Sequence, residues 1–439
     1  MFTYIKAKNY KSLSDIELNL LDKKKQPKKL AIIYGENGSG KSNVANLFYT
    51  LLDTLRTMRI RDIINEYLEN NSEDNPEEFL EMIRNNFKDT ERIIKNNKMI
   101  NSKGNMILEY GFIIDNNKGN YILELDENRI VKEELNFTID KNKGRYFKLE
   151  EKCKPKLNSK IFITNEYYNE TLLNIEKFWG KHSLLSILVN EMQDKSNDYI
   201  KNQLNKNMFK IIRFFNDFSC MVKVGNRSEK GKIGYTKNLL ENLEEGKISI
   251  KEEDILRRTE EFLNEFFTML YADIKSIYYN TEKDGEELKY KLYCRKMISD
   301  EIKDIDFDLE STGTQQLLAL IPFIISAVGG KTVIIDEFDS GIHDLLIKNL
   351  LISIGDSIEG QLIMTTHNTA IMESEINKDS LYVINVTKDG AKEINCISDL
   401  EGRVHPNYNI RNRYLQGLYN GVPSAMYVDF EELLEILKE

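Results

Sequence analysis

One stretch narrows the folds open to this chain more than any other: Gly35-Glu36-Asn37-Gly38-Ser39-Gly40-Lys41-Ser42. The apolar run 30–34 precedes it and an amphipathic segment running from Asn43 to about residue 55 follows, so the order reads as strand, glycine loop, helix start. Glycines let successive backbone N–H groups turn inward around a phosphate chain, and the N-terminus of the next helix adds the positive end of its dipole. Gly35, Glu36, Asn37, Gly38, Ser39, Gly40, Lys41, Ser42 and Asn43 are therefore the expected phosphate cradle. Lys41 would reach the outer phosphates, and the Ser42 hydroxyl would ligate Mg²⁺.

A second group of residues completes such a site. Residues 332–336 (Thr-Val-Ile-Ile-Asp) form a short apolar strand that runs into Asp336-Glu337. An acidic residue at that position is where a P-loop enzyme holds its metal, so Asp336 is the expected Mg²⁺ partner and Glu337 the group that orients or deprotonates the attacking water. The strand 360–366 ends in His367, placed to face the γ-phosphate. About 25 residues before Asp336 lies Leu309-Glu310-Ser311-Thr312-Gly313-Thr314-Gln315-Gln316, followed by the apolar helix 317–328. Ser311 and Gly313 there could make a second phosphate-facing nest, or Ser311 or Thr312 could simply cap the helix. A GTPase would need an Asn-Lys-x-Asp motif, and Asn377-Lys378-Asp379 has the wrong spacing, which favours ATP. A small-molecule P-loop kinase would leave residues 311–315 and the Asp336-Glu337 pair unexplained.

The net charge of −10 argues against a generally basic nucleic-acid binder and leaves a local basic groove open. Cys153, Cys220, Cys294 and Cys396 are scattered without Cys-x-x-Cys spacing, as expected for reduced thiols in a cytoplasmic protein. The longest apolar run, 317–329, is interrupted by Pro322 and falls short of the roughly 20 residues a bilayer requires, so no membrane association is expected.

Periodicity gives the rest of the order. Strand-like alternation covers 2–8 and 15–20, with a turn at Asn9-Tyr10-Lys11-Ser12-Leu13. Residues 55–98 read as helix broken at Asn75-Pro76. Residues 106–114, 120–125, 134–139 and 145–149 read as an antiparallel meander, and 170–278 as a return to helix without a seam long enough for coiled-coil arms. Strands at 275–280, 287–294 and 381–386 follow. The expected division is 1–54 as the first part of an ATPase head, 55–104 as a helical insertion, 105–165 as an antiparallel β subdomain, 166–274 as a helical lobe and 275–439 as the rest of the head.

The order of residues 35–42, 311–315, 334–337, Asp339 and His367 resembles the ATP-binding-cassette type of ATPase head found in SMC, Rad50 and RecF proteins. The resemblance implies an α/β P-loop NTPase head with an antiparallel β subdomain and an inserted helical lobe. It also implies a homo-dimer or higher oligomer in which Ser311 and, through its backbone N–H, Gly313 of one subunit cap the ATP of another. Where such heads have Leu-His-Pro after the acidic pair, this chain has Ile342-His343-Asp344, and Asn165 is a candidate for the missing Q-loop glutamine.

Most of the chain further resembles prokaryotic AAA-family ATPases of anti-phage and abortive-infection systems, the RloA and AbiL type that includes the ATPase subunit of PARIS. The residues concerned are Asn9-Tyr10-Lys11-Ser12, Tyr110-Gly111-Phe112, Glu133-Glu134-Leu135, 310–315, Ile335-Asp336-Glu337-Phe338-Asp339, Thr365-Thr366-His367-Asn368 and the tail 413–423. This implies an ATP-hydrolysing subunit that controls a separate effector nuclease or toxin and answers a phage-derived trigger. About 50 residues follow residue 386, fewer than a Toprim nuclease domain needs, and His405-Pro406-Asn407 is the nearest approach to a nuclease cluster. The alternatives are a DNA-repair or chromosome-maintenance ATPase that binds DNA, and an ATP-bound scaffold with negligible turnover.

Overall fold

Alternating burial along the first nineteen residues makes two strands, β1 (Phe2–Tyr10) and β2 (Leu13–Asn19), paired antiparallel across a tight turn. Asn9 and Lys11 take positive φ there, at 52° and 46°. In the computed structural model, residues 1–69, 79, 83, 87–139, 142–194, 197–224, 228–234, 239–373, 375–400, 409–422 and 429–436 are described. The break expected at Asn75-Pro76, the His405-Pro406-Asn407 cluster and Pro423 of the tail lie outside them.

The P-loop strand β3 (Leu30–Tyr34) leads through the glycine loop into helix α1 (Lys41–Leu55), followed by α2 (Arg59–Glu69) and α3 (Thr90–Asn97). The meander is β4 (Met106–Ile114), β5 (Asn117–Leu125), β6 (Ile130–Ile139), β7 (Asn142–Glu150) and the short β8 (Lys156–Leu157). It joins the N-terminal hairpin in one antiparallel sheet of order β2-β1-β4-β5-β6-β7-β8.

Helices α4 (Asn165–Phe178), α5 (Leu184–Asp194), α6 (Asn197–Lys201) and α7 (Lys206–Asp217) follow. Within 170–278, read as helix, the structure also places β9 (Ser219–Val224), β10 (Ser228–Lys232) and β11 (Glu245–Ser249) before α8 (Glu253–Leu270). This corrects the sequence expectation. Cys220-Met221-Val222 is too short to show a period of its own, and it becomes a strand by pairing parallel with a distant partner.

After β12 (Ile274–Asp284), β13 (Glu287–Ile298) and β14 (Glu301–Asp306) come α9 (Thr312–Val328), β15 (Thr332–Ile335), α10 (Asp344–Ser357) and β16 (Gln361–Thr365). The last elements are β17 (Leu381–Val386), β18 (Lys392–Cys396), α11 (Ile397–Leu400), α12 (Ile410–Leu415) and α13 (Phe430–Ile436). Pro322 sits inside α9 without ending it, and among the described residues no helix is long and apolar enough to cross a membrane.

The central sheet has the order β10-β9-β15-β16-β3-β17-β18. Its five inner strands are parallel, with antiparallel β10 and β18 at the edges. One strand, β16, separates the P-loop strand from the one ending at Asp336. Both faces are covered, as an inner parallel sheet requires. Ile33, Ile334, Ile363 and Ile384 point into one core with α1, α5, α7 and the antiparallel sheet, while Ile32, Val333, Ile335, Leu362 and Val383 point into a second core with α9 and α10. The period-two split fixes the register of every site-bearing strand end. The expected class, α/β with a P-loop core and an antiparallel β unit, is what the chain adopts.

Candidate nucleotide site

Gly38 and Gly40 take φ of 79° and 105°, a region open to glycine at little cost, and this curls the loop at the end of β3. A side chain on Gly35 would come within 2.6 Å of Ser39 Oγ, so the loop also closes tightly on itself. Lys41 Nζ donates to the carbonyls of Gly35 (2.7 Å) and Glu36 (3.0 Å). Burial lowers the Lys41 ammonium to about 8, against the pull of the carboxylates of Asp336, Glu337, Asp339 and Glu36. A cation held by neutral carbonyls in this way gains most from an arriving anion.

A cleft of about 210 Å³ opens over the loop, lined by Asn37, Gly38, Gly40, Lys41, Ser42, Asn43, Glu337 and His367. Residues from the P-loop, from the end of β15 and from the end of β16 therefore meet around one small space. His367 is exposed beside it, and burial together with the Lys41 charge lowers its imidazole below the usual value.

Asp336 is 1% exposed. Its Oδ1 accepts from Thr365 Oγ1 at 2.6 Å, while Oδ2 has no hydrogen-bond partner of ordinary geometry. Burial raises this carboxyl above the usual range, partly offset by the Thr365 and Ser42 hydroxyls. A buried, unpaired carboxylate oxygen beside a hydroxyl fits one side of a Mg²⁺ shell, which takes few protein ligands and fills the rest with phosphate oxygens and water. Among the described residues no cluster of three or more His, Cys, Asp or Glu side chains is placed to hold a metal.

Glu337 sits at φ 50°, in the left-handed region that a glutamate enters at a cost. Its N–H donates to Thr365 Oγ1 at 2.8 Å, so one threonine holds both acidic residues. Its carboxylate pairs with Lys223 Nζ, which also donates to Ser340 Oγ at 3.1 Å. Lys223 lies on β9, placed beside Asp336 because the Asp336 N–H donates to Met221 O at 2.8 Å. No local sequence signal marks this lysine, and it was missed.

Lys392 was missed for the same reason. From β18 it donates to Gly38 O at 3.0 Å and Ser12 Oγ at 2.6 Å, while Asn43 Nδ2 donates to the same Ser12 hydroxyl at 2.7 Å. The turn at Asn9-Tyr10-Lys11-Ser12 is thereby tied to the glycine loop.

Two residues expected at the phosphates stand apart from the cleft. Ser311 is exposed at the N-terminus of α9, where its Oγ accepts from Thr314 N at 3.2 Å, and a side chain on Gly313 would meet Gly341 O at 2.6 Å. Neither lines the P-loop cleft of its own chain. Asn165, the Q-loop candidate, opens α4 and is likewise absent from that lining. His343 accepts from Leu345 N at 3.3 Å and caps α10.

The family described as "AAA domain, putative AbiEii toxin, Type IV TA system" matches residues 30–373. The chain belongs to this AAA family. No curated protein matches it. Among solved structures, an SMC head bound to the C-terminal winged-helix domain of ScpA is similar at 13% identity and TM-score 0.42, covering 90% of this chain and 96% of that one. The SMC head domain from Thermotoga maritima gives 14% and 0.37, over 90% and 98%. An Smc head with an extended coiled coil, bound to the C-terminal domain of ScpA derived from Pyrococcus furiosus, gives 13% and 0.41, over 100% and 98%.

In this AAA-family chain the tail motif acquires a physical role. Tyr414 packs against Tyr34, the residue before Gly35, with ring centroids 6.1 Å apart, and donates to Gly421 O at 2.9 Å. A side chain on Gly421, at φ 74°, would meet Val383 Cγ1 at 2.4 Å. The tail is a buttress beneath the glycine loop, assembled from chain nearly 400 residues away.

Proposed function

We propose that this chain is the ATP-binding and ATP-hydrolysing subunit of an anti-phage defence complex of the abortive-infection kind, in which ATP-dependent pairing of heads controls a partner nuclease or toxin. The observation that carries the chemistry is the convergence of Lys41, Ser42, Glu337 and His367 on one cleft, with Asp336 buried behind Ser42. In this reading residues 1–54 and 275–439 supply the catalytic head. Lys41 and the helix N-terminus bind the phosphates and offset the charge that develops on the transferred group. Ser42 and Asp336 would hold Mg²⁺, which when bound neutralises phosphate charge. Glu337 orients water and takes its proton, and His367 donates toward the γ-phosphate.

Ser311 is exposed and neither it nor Gly313 lines the cleft of its own chain, which in this reading leaves them to serve a second copy's nucleotide. The test is ATPase rate per subunit against protein concentration for wild type and Ser311→Arg. Specific activity should rise with concentration in the wild type, and the substitution should abolish that rise. A monomer with a concentration-independent rate would overturn the shared site.

Lys223 enters this scheme as a positioning residue for Glu337. Lys223→Met is expected to lower the rate at saturating ATP by about tenfold or more with little change in half-saturating ATP, since it touches the water-activating group rather than the P-loop. Lys223→Arg should recover part of the loss. A Lys223→Met enzyme with wild-type turnover would remove Lys223 from the mechanism.

A further inference from the structure

A second cleft lies away from the P-loop. It measures about 1010 Å³ and lies between the far end of the P-loop helix α1, strands β9 and β10, and the middle of α9. Arg56, Arg59 and Lys232 line it together with Asn216, and Tyr290 and Phe323 contribute aromatic wall.

The charges there are out of balance. Among the described residues Arg56 makes no hydrogen bond or ion pair through its side chain, although burial lowers its guanidinium below the usual value. Among the described residues the Arg59 guanidinium meets the Phe87 ring, 6.0 Å away. Lys232 donates to the backbone and side-chain oxygens of Asn216, both neutral. Burial and the charges of Arg56 and Arg59 lower the Lys232 ammonium to about 7.

The acids that act on these cations, Asp53 on Arg56 and Asp217 on Lys232, are also held by other cations, Asp53 by Lys88 at 2.7 Å. Asp217 is engaged by Lys331 at 3.0 Å and Arg213 at 3.5 Å. Glu241 and Glu252 also line the cleft but are exposed and pair with none of the three. The remaining lining lysine, Lys247, is held by Asp284 at 3.3 Å and Glu287 at 3.8 Å. Arg56 and Lys232 are half-buried and Arg59 is exposed at the rim, and holding like charges together in part-shielded positions costs free energy that a bound anion restores. Guanidinium groups suit phosphate because their planar forks donate in pairs.

We propose that this cleft is a second anion site, which takes a small organic phosphate of about nucleotide size with its phosphates on Arg56, Arg59 and Lys232 and its apolar part against Tyr290 and Phe323. A free small molecule fits better than a nucleic-acid strand because the cations lie within a recess rather than along a ridge. The cleft reaches three elements of the P-loop site: α1, α9 and β9, whose Met221 carbonyl holds the Asp336 N–H. Occupancy should therefore be felt at the ATP site, although the cleft's existence does not depend on ATP being hydrolysed there.

The experiment titrates full-length Lys41→Ala protein, which weakens phosphate binding at the P-loop, with inorganic pyrophosphate and with AMP by calorimetry. The same titrations follow on Lys41→Ala carrying Arg56→Gln and Lys232→Gln. Saturable binding of both probes that weakens at least tenfold in the cleft variant supports the site. Equal binding by the two proteins, or none by either, overturns it. A 20-nucleotide single-stranded DNA that binds the cleft where AMP does not also overturns it, in favour of a nucleic-acid groove. Thermal unfolding guards against a folding artefact: without anions the cleft variant should melt no lower than its parent, because repulsion has been relieved. Should it melt lower, the single substitutions and the charge-preserving pair Arg56→Lys and Lys232→Arg are judged by the same criterion, the latter keeping pyrophosphate binding.

Discussion

Glu337→Gln is expected to cut steady-state ATP hydrolysis at least about 100-fold, the usual scale for losing a general base, while ATP binding survives. Glutamine keeps the shape of the side chain and the backbone hydrogen bond to Thr365, so the left-handed turn at residue 337 can persist. It removes the carboxylate that would take a proton from water and that Lys223 now holds. ATP-bound oligomers should accumulate because closure no longer ends in hydrolysis. Size-exclusion chromatography with retained nucleotide, beside a single-turnover assay, reads both effects. Turnover at the wild-type rate would show that the carboxylate of Glu337 is not the base.

Glu133→Ala is expected to destabilise the fold by at least about 3 kcal/mol, because several buried donors lose their acceptor at about 1–3 kcal/mol each. Glu133 is fully buried. It accepts from Leu184 N at 2.7 Å, Leu185 N at 3.3 Å, Trp179 Nε1 at 3.0 Å and Tyr121 Oη at 2.9 Å. A strand of the antiparallel sheet thus caps the N-terminus of α5, and the helix leans on that cap.

Burial pushes the Glu133 carboxyl up to about 7 against the pull of those four donors. Its ordinary value is 4.5, so between the two the folded protein binds more protons than the unfolded chain. This group's contribution is therefore fully present below 4.5 and declines as pH rises through about 7. Denaturant melts of wild type and Glu133→Gln at pH 5 and pH 8 check the sign. The stability of wild type relative to Glu133→Gln should be lower at pH 8. An Ala variant as stable as wild type would mean that the cap is dispensable.

The particular elements explain what could be read in advance. The glycine loop, the strand 30–34 and the strand ending at Asp336 are local patterns, and each formed at or within a residue of its expected place. The meander's order was legible because its turns and alternation lie close together in the chain, although β5, β6 and β7 begin three or four residues before the places read for them and β8 was not read. β9 was not: its six residues follow a helix and take their place from the β10 hairpin and from parallel pairing with β15, more than 100 residues later.

Glu133-Glu134-Leu135 and the tail were visible as motifs without chemistry. Their purposes, a cap beneath α5 and a buttress against Tyr34, appear only once distant segments touch. Sequence alone therefore determined the chemical types and the strand ends that carry them, since glycine torsions, helix dipoles and apolar runs act over a few residues. Tertiary structure decided which cations stand opposite which acids, with Lys223 on Glu337, Lys392 on the loop, and Arg56 and Lys232 facing a cleft. The physical reason is range: a charged side chain's partner is set by strand order and packing, and those depend on the whole chain at once.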